Sequence, residues 1–304
     1  MMEWGIAINL RESVGEVVEK AVLAERGGID TIWLTDYPAV RLSPLLASAV
    51  AQNTKRCRIG VGLLSPLIYS TSQIVRYMRT LIELYGNRFD LLLGPGDKTK
   101  LKNIGVDYGD ITSLVQRMKT MASEIHQELS EYSECRIFFA AQGSKMLRAS
   151  TCVDGVLLNY ADLDMIQWAI TNIHDRMKGF RVGIFPPALI SSSTKCDNDI
   201  SIRTSAAVVA LGMNTSLLNH FGLTKYVEPA KLALKREGKL SPIVTDLIEQ
   251  KILDRFCISG PSEKLCEYLS QLEELGVDII VFGPPQGATY SGVECINHAR
   301  IQCI

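Results

Sequence analysis

Leu91-Leu92-Leu93-Gly94-Pro95-Gly96-Asp97-Lys98 is the stretch on which the fold turns. It follows Asn87-Arg88-Phe89-Asp90, so an apolar run ends abruptly in two glycines, a proline and two charges. A short continuous apolar run bounded by turn residues reads as a strand buried on both faces, the parallel-sheet kind, opening into a loop. With no side chain at Gly94 or Gly96, that backbone can lie flat against a ligand. Asp97 and Lys98 then stand at the mouth of the site.

The same pattern repeats in both directions. Upstream, Glu3 to Asn9 reads as a strand, and Ser13 with Glu16 has the spacing of a capping box at a helix start. Val14, Val17, Ala21 and Ala24 recur at helical spacing until Gly27-Gly28. Strands are expected over Thr31 to Thr35 and Cys57 to Leu64, with helices over Leu45 to Ala51 and Thr71 to Tyr85. Downstream, helix over Ile111 to Leu129, strand over Arg136 to Ala140 and helix from Ser144 to Ser150 continue the alternation. Strand over Val153 to Leu158, helix over Leu163 to Met177 and strand over Arg181 to Phe185 follow. Residues 201 to 256 read as helical, broken at Gly222 and Gly238-Lys239; a helix over Pro261 to Leu275, a strand over Val277 to Phe282 and a helix over Val293 to Ile301 end the chain. Strands that alternate with helices must be parallel, joined by right-handed crossovers. An open doubly wound sheet is possible, but about eight such units in one chain fit a closed (β/α)8 TIM barrel better. The expectation is therefore an α/β chain forming a single domain over residues 1–304, with a helical insertion at about 201–256 near the last strands.

Composition narrows the function. The 304 residues are 47% hydrophobic, enough for a large core, and 32 basic against 33 acidic residues give a net charge of -1. No basic block or aromatic-basic stripe suggests nucleic acid. No apolar run approaches the ~20 residues of a membrane helix, and Met1-Met2-Glu3-Trp4 does not begin a signal peptide. The eight cysteines (Cys57, Cys135, Cys152, Cys196, Cys257, Cys266, Cys295 and Cys303) form no Cys-x-x-Cys pair, and the four histidines are scattered. No metal site is expected. The cysteines read as free thiols in a reducing cytoplasm, mostly buried.

In a TIM barrel the chemistry sits where strands end. Those ends are Ala7 and Asn9; Asp36 and Tyr37; Gly62, Leu63 and Leu64; Gly94 to Lys98; Gln142, Gly143 and Ser144; Leu158, Asn159 and Tyr160; and Gly283 to Gly287. The set is rich in glycine, amide and hydroxyl groups, poor in charge, and contains no histidine. It supports neither a Ser-His-Asp triad nor a carboxylate cage for a metal. It suits a large planar or phosphate-bearing ligand, with Gln142-Gly143-Ser144 as an anion seat at a helix start. Arg88 reads as a structural anchor at the barrel bottom.

Trp33-Leu34-Thr35-Asp36, Leu81 to Arg88, Gly94-Pro95-Gly96-Asp97-Lys98 and Ala141-Gln142-Gly143 resemble the bacterial-luciferase-like superfamily. Within it they resemble the coenzyme F420-dependent methylenetetrahydromethanopterin reductases of archaea. The likeness runs from about residue 3 to 290 and includes Asp154-Gly155-Val156-Leu157-Leu158-Asn159, Ser259-Gly260-Pro261 and Gly283-Pro284-Pro285. It implies a TIM barrel that binds F420, a hydride-carrying deazaflavin, at its C-terminal face. It implies a homo-oligomer, usually a dimer, in an archaeal cytoplasm, acting in one-carbon metabolism on a pterin-like substrate. Carried over residue by residue, it places Asp36 and Tyr37 beside the deazaflavin head and a strained non-proline cis peptide at Gly62-Leu63, before Leu64. Gly94 and Gly96 fall in the cofactor loop, Gln142, Gly143 and Ser144 at the phosphate-bearing tail, and Leu158 and Asn159 along the same wall. Asp97, with Asp36, is the catalytic candidate. Two positions depart from the pattern: the family's histidine beside the second-strand aspartate is Tyr37 here, and its first-strand glutamate is Ala7, while Glu3, some 13 Å back along an extended strand, belongs near the barrel bottom. Two alternatives stay open beside the reductase reading: an FMN-dependent luciferase-like enzyme, and a non-catalytic F420-binding relative or partner subunit.

Overall fold

The computed structural model describes every residue except Met1, Asn9, Leu10, Pro38, Ala39, Ser133, 192–199 and Ile304. Asn9 and Cys196, both named above, lie outside the described residues. The first part of the chain runs β1 (Glu3–Ile8), α1 (Val14–Arg26), β2 (Thr31–Leu34), α2 (Ser43–Asn53), β3 (Arg58–Leu64), α3 (Thr71–Tyr85), β4 (Phe89–Leu93), α4 (Lys98–Asn103), α5 (Ile111–Glu128), β5 (Arg136–Ala141), α6 (Ser144–Ala149), β6 (Gly155–Leu158), α7 (Leu163–Thr171) and β7 (Arg181–Ile184). It continues with β8 (Ala188–Ser191), α8 (Ile200–Gly212), α9 (Thr215–His220), α10 (Thr224–Glu237), α11 (Pro242–Thr245), α12 (Gln250–Leu253), β9 (Ile258–Pro261), α13 (Ser262–Glu274), β10 (Ile279–Gly287) and α14 (Tyr290–Cys303).

Eight strands close a parallel barrel in the order β1-β10-β7-β6-β5-β4-β3-β2. They are the eight strands expected from the apolar runs. The helix boundaries follow local chemistry. Ser13 and Glu16 cap α1 reciprocally, Ser70 and Gln73 do the same for α3, and Gly238 ends α10 in the left-handed conformation.

A small parallel ribbon, β8 with β9, was not anticipated. It frames the helical insertion α8–α12, one strand before it and one after. Gln286, fully buried at the end of β10, accepts from the Ile190 amide and donates to the carbonyls of Ile190 and Gly292. One side-chain amide thus substitutes for a strand edge and fastens the ribbon to the barrel.

Strand alternation sorts the apolar residues into two cores. The large one lies between barrel and helices. The smaller one fills the lumen: Ala7, Trp33, Leu92, Phe138, Leu157, Ile279 and Val281, with Leu63, Ala140 and Phe185 packed on it. Trp33 dominates this plug. A Cβ at Gly60 would lie 2.2 Å from its ring and one at Gly5 3.1 Å, so glycines on the two flanking strands make the room for the indole.

The lower end of the lumen is closed by charge. Asp90 is fully buried and accepts from Arg58 Nε at 3.0 Å and Arg136 Nε at 2.8 Å. Glu3 accepts from Arg136 Nη1 at 2.8 Å, Arg181 Nη1 at 2.7 Å and the Thr31 hydroxyl. Burial alone would raise the Glu3 carboxyl, but these donors outweigh it and bring its pKa down to about 2. Glu3 therefore sits at the bottom, where its distance from Ala7 had put it. Arg88 donates to the Thr54 hydroxyl and to the carbonyls of Ala51, Thr54 and Cys57, which makes it an anchor.

The cysteines correct one expectation. Cys266 of α13 and Cys303 of α14 form a disulfide, with Cα atoms 5.0 Å apart. Helix packing brings together two residues separated by 37 positions, which no local spacing reveals. Cys57, Cys135 and Cys257 are free and buried, as expected; Cys152 and Cys295 are free and half-buried.

Candidate functional site at the barrel mouth

The solvent-facing members of the luminal plug all come from strand C-terminal ends. Leu63 is the last residue but one of β3, Ala140 lies near the end of β5, and Phe185 follows β7 directly. With buried Ala7 they make an apolar floor over Trp33, whose ring centroid lies 5.9 Å from that of Phe185. Phe185 was not among the strand-end candidates; its signal was an aromatic ending an apolar run before Pro186-Pro187.

A glycine bulge shapes the floor. The peptide bond at Gly62-Leu63 is not cis; the cis bond among the described residues is Pro284-Pro285. Instead Gly62 adopts φ +123°, and the pairing with β4 slips between Gly62 and Leu64. A Cβ at Gly62 would stand 2.3 Å from the Leu92 carbonyl oxygen, so only glycine fits. The extra residue lets Leu63 point into the lumen while Leu64 points into the outer core. Leu63 then leans across Gly94, where a Cβ would fall 2.4 Å from its Cδ1. Ser65 joins the two loops by donating to the Pro95 carbonyl at 2.9 Å.

The remaining candidates divide by the same alternation. Leu158 is wholly buried in the outer core, so only its backbone borders the mouth. Asn159, the next residue, carries a buried Oδ1 without a hydrogen-bond partner. Gln142 donates to the Val209 carbonyl of α8 at 3.3 Å, and a Cβ on Gly143 would lie 2.7 Å from Asn214 Nδ2 at the start of α9. The insertion therefore lies against the Gln142-Gly143-Ser144 turn. Helix α6, which begins at Ser144, is only six residues long.

The acids are more engaged than sequence suggested. Asp36 Oδ1 accepts from the Ser43 amide at 2.9 Å and Oδ2 from the Tyr69 hydroxyl at 2.8 Å. Burial raises the Asp36 pKa, and these two bonds oppose the rise only in part. Asp36 thus ties the β2 loop to α2 and to the β3 loop. Asp97 caps α4, accepting from the Lys100 amide at 2.9 Å, and is exposed. The Tyr37 ring lies under two cations, Arg11 (5.9 Å) and Lys100 (4.9 Å). Its hydroxyl pKa is raised by burial, an effect that Arg11 moderates. Among the described residues no cluster of His, Cys, Asp or Glu is arranged to hold a metal. A cleft of about 340 Å³ is lined by Ser70 and Glu124, and a groove of about 330 Å³ by Val14, Arg41, Leu42 and Leu45.

A family profile described as luciferase-like monooxygenase matches residues 3–279. A protein of Archaeoglobus fulgidus named 5,10-methylenetetrahydromethanopterin reductase is 27% identical, with 94% of each chain covered. One of the same name from Methanolobus tindarius is 23% identical over 94% of this chain and 95% of its own. The solved coenzyme F420-dependent tetrahydromethanopterin reductase of Methanopyrus kandleri superposes with a TM-score of 0.85 at 18% identity, covering 99% of both chains, a likeness of fold. With that barrel and a profile match over nearly its whole length, the chain belongs to the luciferase-like monooxygenase family.

Proposed function

We propose that this protein is an F420-dependent oxidoreductase that moves hydride between the deazaflavin and a one-carbon pterin or related substrate at the barrel mouth. The observation that carries the reading is the apolar floor of Leu63, Ala140 and Phe185 over Trp33, a flat bed at the end of the barrel where this architecture does chemistry. The two full-length relatives named as methylenetetrahydromethanopterin reductases support the choice of cofactor and substrate class.

The residues present fit a deazaflavin. The floor is apolar and uncharged, and the unpartnered Asn159 Oδ1 is an acceptor suited to a ring N–H. When bound, F420 supplies a two-electron hydride carrier, so the protein's part is placement and field. Leu63, Ala140 and Phe185 support the ring from below, while Gly62, Gly94 and Gly96 keep the loops low around it. Asn159 fixes its polar edge, and Gln142, Gly143 and Ser144 border its tail beneath the insertion. Asp36, Tyr37 and Tyr69 hold the wall over β2 and β3. Asp97 is the exposed carboxylate on the substrate side and polarises the substrate there. Ala7 offers no proton on the floor, so any proton that moves travels by a route other than the first strand. In the same reading the chain works as one domain in a cytoplasmic homo-oligomer.

Anaerobic mixing with reduced F420 and methylenetetrahydromethanopterin tests this, with F420 oxidation as the readout. Turnover is expected. Tight F420 binding with no turnover at high enzyme would reassign the chain as a non-catalytic relative. A clear preference for FMN in parallel titrations would remove F420 from the proposal.

A further inference from the structure

We propose that Ser65 is a positioning residue: its hydroxyl sets where the Gly94-Pro95-Gly96 loop lies over the apolar floor, and thereby where Asp97 stands beside the bound ring. What is positioned rests on the oxidoreductase reading; the clamp between the two loops does not. The β3–β4 ladder pairs Leu64 with Leu93, and the Gly94 amide then donates to the Leu64 carbonyl at 3.2 Å. Pro95 has no N–H, so the ladder cannot continue through the next residue. Ser65 takes over at that step. Its hydroxyl donates to the Pro95 carbonyl at 2.9 Å and accepts from the Leu67 amide at 3.2 Å. Ser65 is only 3% exposed, so water has little access to either bond.

The loop that Ser65 holds joins two parts of the mouth. Gly94 abuts the floor on both sides: a Cβ there would lie 2.4 Å from Leu63 Cδ1 and 3.1 Å from the Ala140 Cβ. At its other end Gly96 turns the chain with φ +86°, and Asp97 follows at once as the cap of α4. Buried Leu101 anchors α4, and a Cβ on Gly96 would lie 3.0 Å from its Cδ1. Asp97 therefore stands between two fixed points, the Pro95 carbonyl before it and Leu101 after it. The barrel does not need the clamp. Strand β4 is buried throughout and keeps its ladders to β3 and β5 whether or not residue 65 carries a hydroxyl. Loss of that hydroxyl is felt in the loop.

Hydrogen exchange read by mass spectrometry tests the clamp in the full-length protein. In Ser65→Ala the amides from Gly96 to Leu101 should exchange about 10-fold faster, while those of β3 and β4 keep their rates. Ser65→Thr keeps the hydroxyl and suits the extended backbone favoured before Pro66, so it should match wild type. Ser65→Cys, of similar size with a weaker donor, should fall between, and it carries the test if the alanine variant does not fold. Unchanged exchange over residues 96–101 in Ser65→Ala overturns the clamp.

A double-mutant cycle tests the positioning. Asp97→Asn keeps the α4 cap and removes the charge. In turnover of reduced F420 with methylenetetrahydromethanopterin, Ser65→Ala should lower kcat about 10-fold, with F420 affinity changed less than about 2-fold, and should add little to the loss in Asp97→Asn. A merely structural serine would multiply its loss onto that of Asp97→Asn, and that result overturns the positioning role. So does an Asp97→Asn enzyme with wild-type kcat, or a fall in F420 affinity that accounts for the whole effect of Ser65→Ala. Absence of turnover in the wild type would overturn the oxidoreductase reading together with the role at Asp97, and the exchange result would still decide the clamp.

Discussion

The two ends of this barrel solve opposite problems with the same kind of side chain. At the lower end Glu3, Asp90, Arg58, Arg136 and Arg181 occupy the lumen, and every carboxylate oxygen meets a donor. At the mouth Arg11, Lys98 and Lys100 are exposed, and the lumen ends in Leu63, Ala140 and Phe185. One end is a closed network whose parts satisfy one another. The other is an apolar bed with positive charge on its rim and an unpartnered Asn159 Oδ1. Paired charges seal one end, whereas the apolar bed and the unpartnered Asn159 Oδ1 leave the other suited to the ligand of the proposed function.

The largest effect is expected at the sealed end. Asp90→Ala leaves Arg58 and Arg136 facing a void where a fully buried carboxylate stood. Breaking a buried network by removing one partner costs about 3–5 kcal/mol. Urea unfolding should show that loss with little change in slope. A loss below about 1 kcal/mol would mean that the bottom network is wet and loosely held, and the contrast between the ends would weaken.

Next comes the acid limb of stability. The folded pKa of Glu3 is depressed to about 2 from an ordinary 4.5. A depressed carboxylate stabilises the fold at pH above its unfolded value, and that stability is lost as pH falls through the folded one. The window is therefore about pH 4.5 down to 2, and the shift corresponds to an order of 3 kcal/mol. Glu3→Gln should be less stable than wild type at pH 6, and the two unfolding midpoints should converge as the pH approaches 2. Parallel curves across that range would remove Glu3 from the network's energetics.

The barrel and the place of Glu3 and Arg88 at its bottom were legible in sequence for a physical reason, whereas the ion network of Asp90 with Arg58 and Arg136 was not. Runs such as Leu91-Leu92-Leu93 and Ile279-Ile280-Val281, short and bounded by turn residues, read as strands buried on both faces, and punctuation by Gly86, Gly222 and Gly238 marks where helices stop. Glu3 could be placed because strand rise is fixed. The mouth was legible only to the level of which loops contribute. Leu63 and Leu64 were both candidates because the bulge that separates them depends on a backbone angle at Gly62, not on any residue pattern. Phe185 hid at the end of an ordinary strand. Arg11 and Lys100 meet only because β1, β2 and β4 share one barrel, and Cys266 reaches Cys303 only because α13 packs on α14. Gln286 looked like part of a ligand loop and is a buried strut.

The smallest effect on stability, and the most discriminating one, belongs to Asp36 at the boundary between the two kinds of chemistry. Its pKa is raised first by burial, against the bonds from Ser43 and Tyr69. A raised carboxyl favours the fold only while protonated, so its contribution is present at low pH and is lost as the pH climbs through the folded value. At neutral pH the buried charge is a cost. Asp36→Asn keeps an oxygen for the Ser43 amide and turns an NH2 toward Tyr69, whose hydroxyl can rotate to accept. It removes the charge without orphaning a partner, so it should alter stability by less than about 1 kcal/mol. Relative to wild type it should gain stability as the pH rises through the folded value of Asp36. Asp36→Ala strands both partners and should cost about 1–3 kcal/mol. If Asp36 is a strut alone, Asp36→Asn retains F420 affinity and turnover while Asp36→Ala loses both through the displaced β2 wall. If its charge acts on a bound ligand, Asp36→Asn loses activity at unchanged stability, and the boundary between the sealed and the waiting parts of the barrel moves one residue inward.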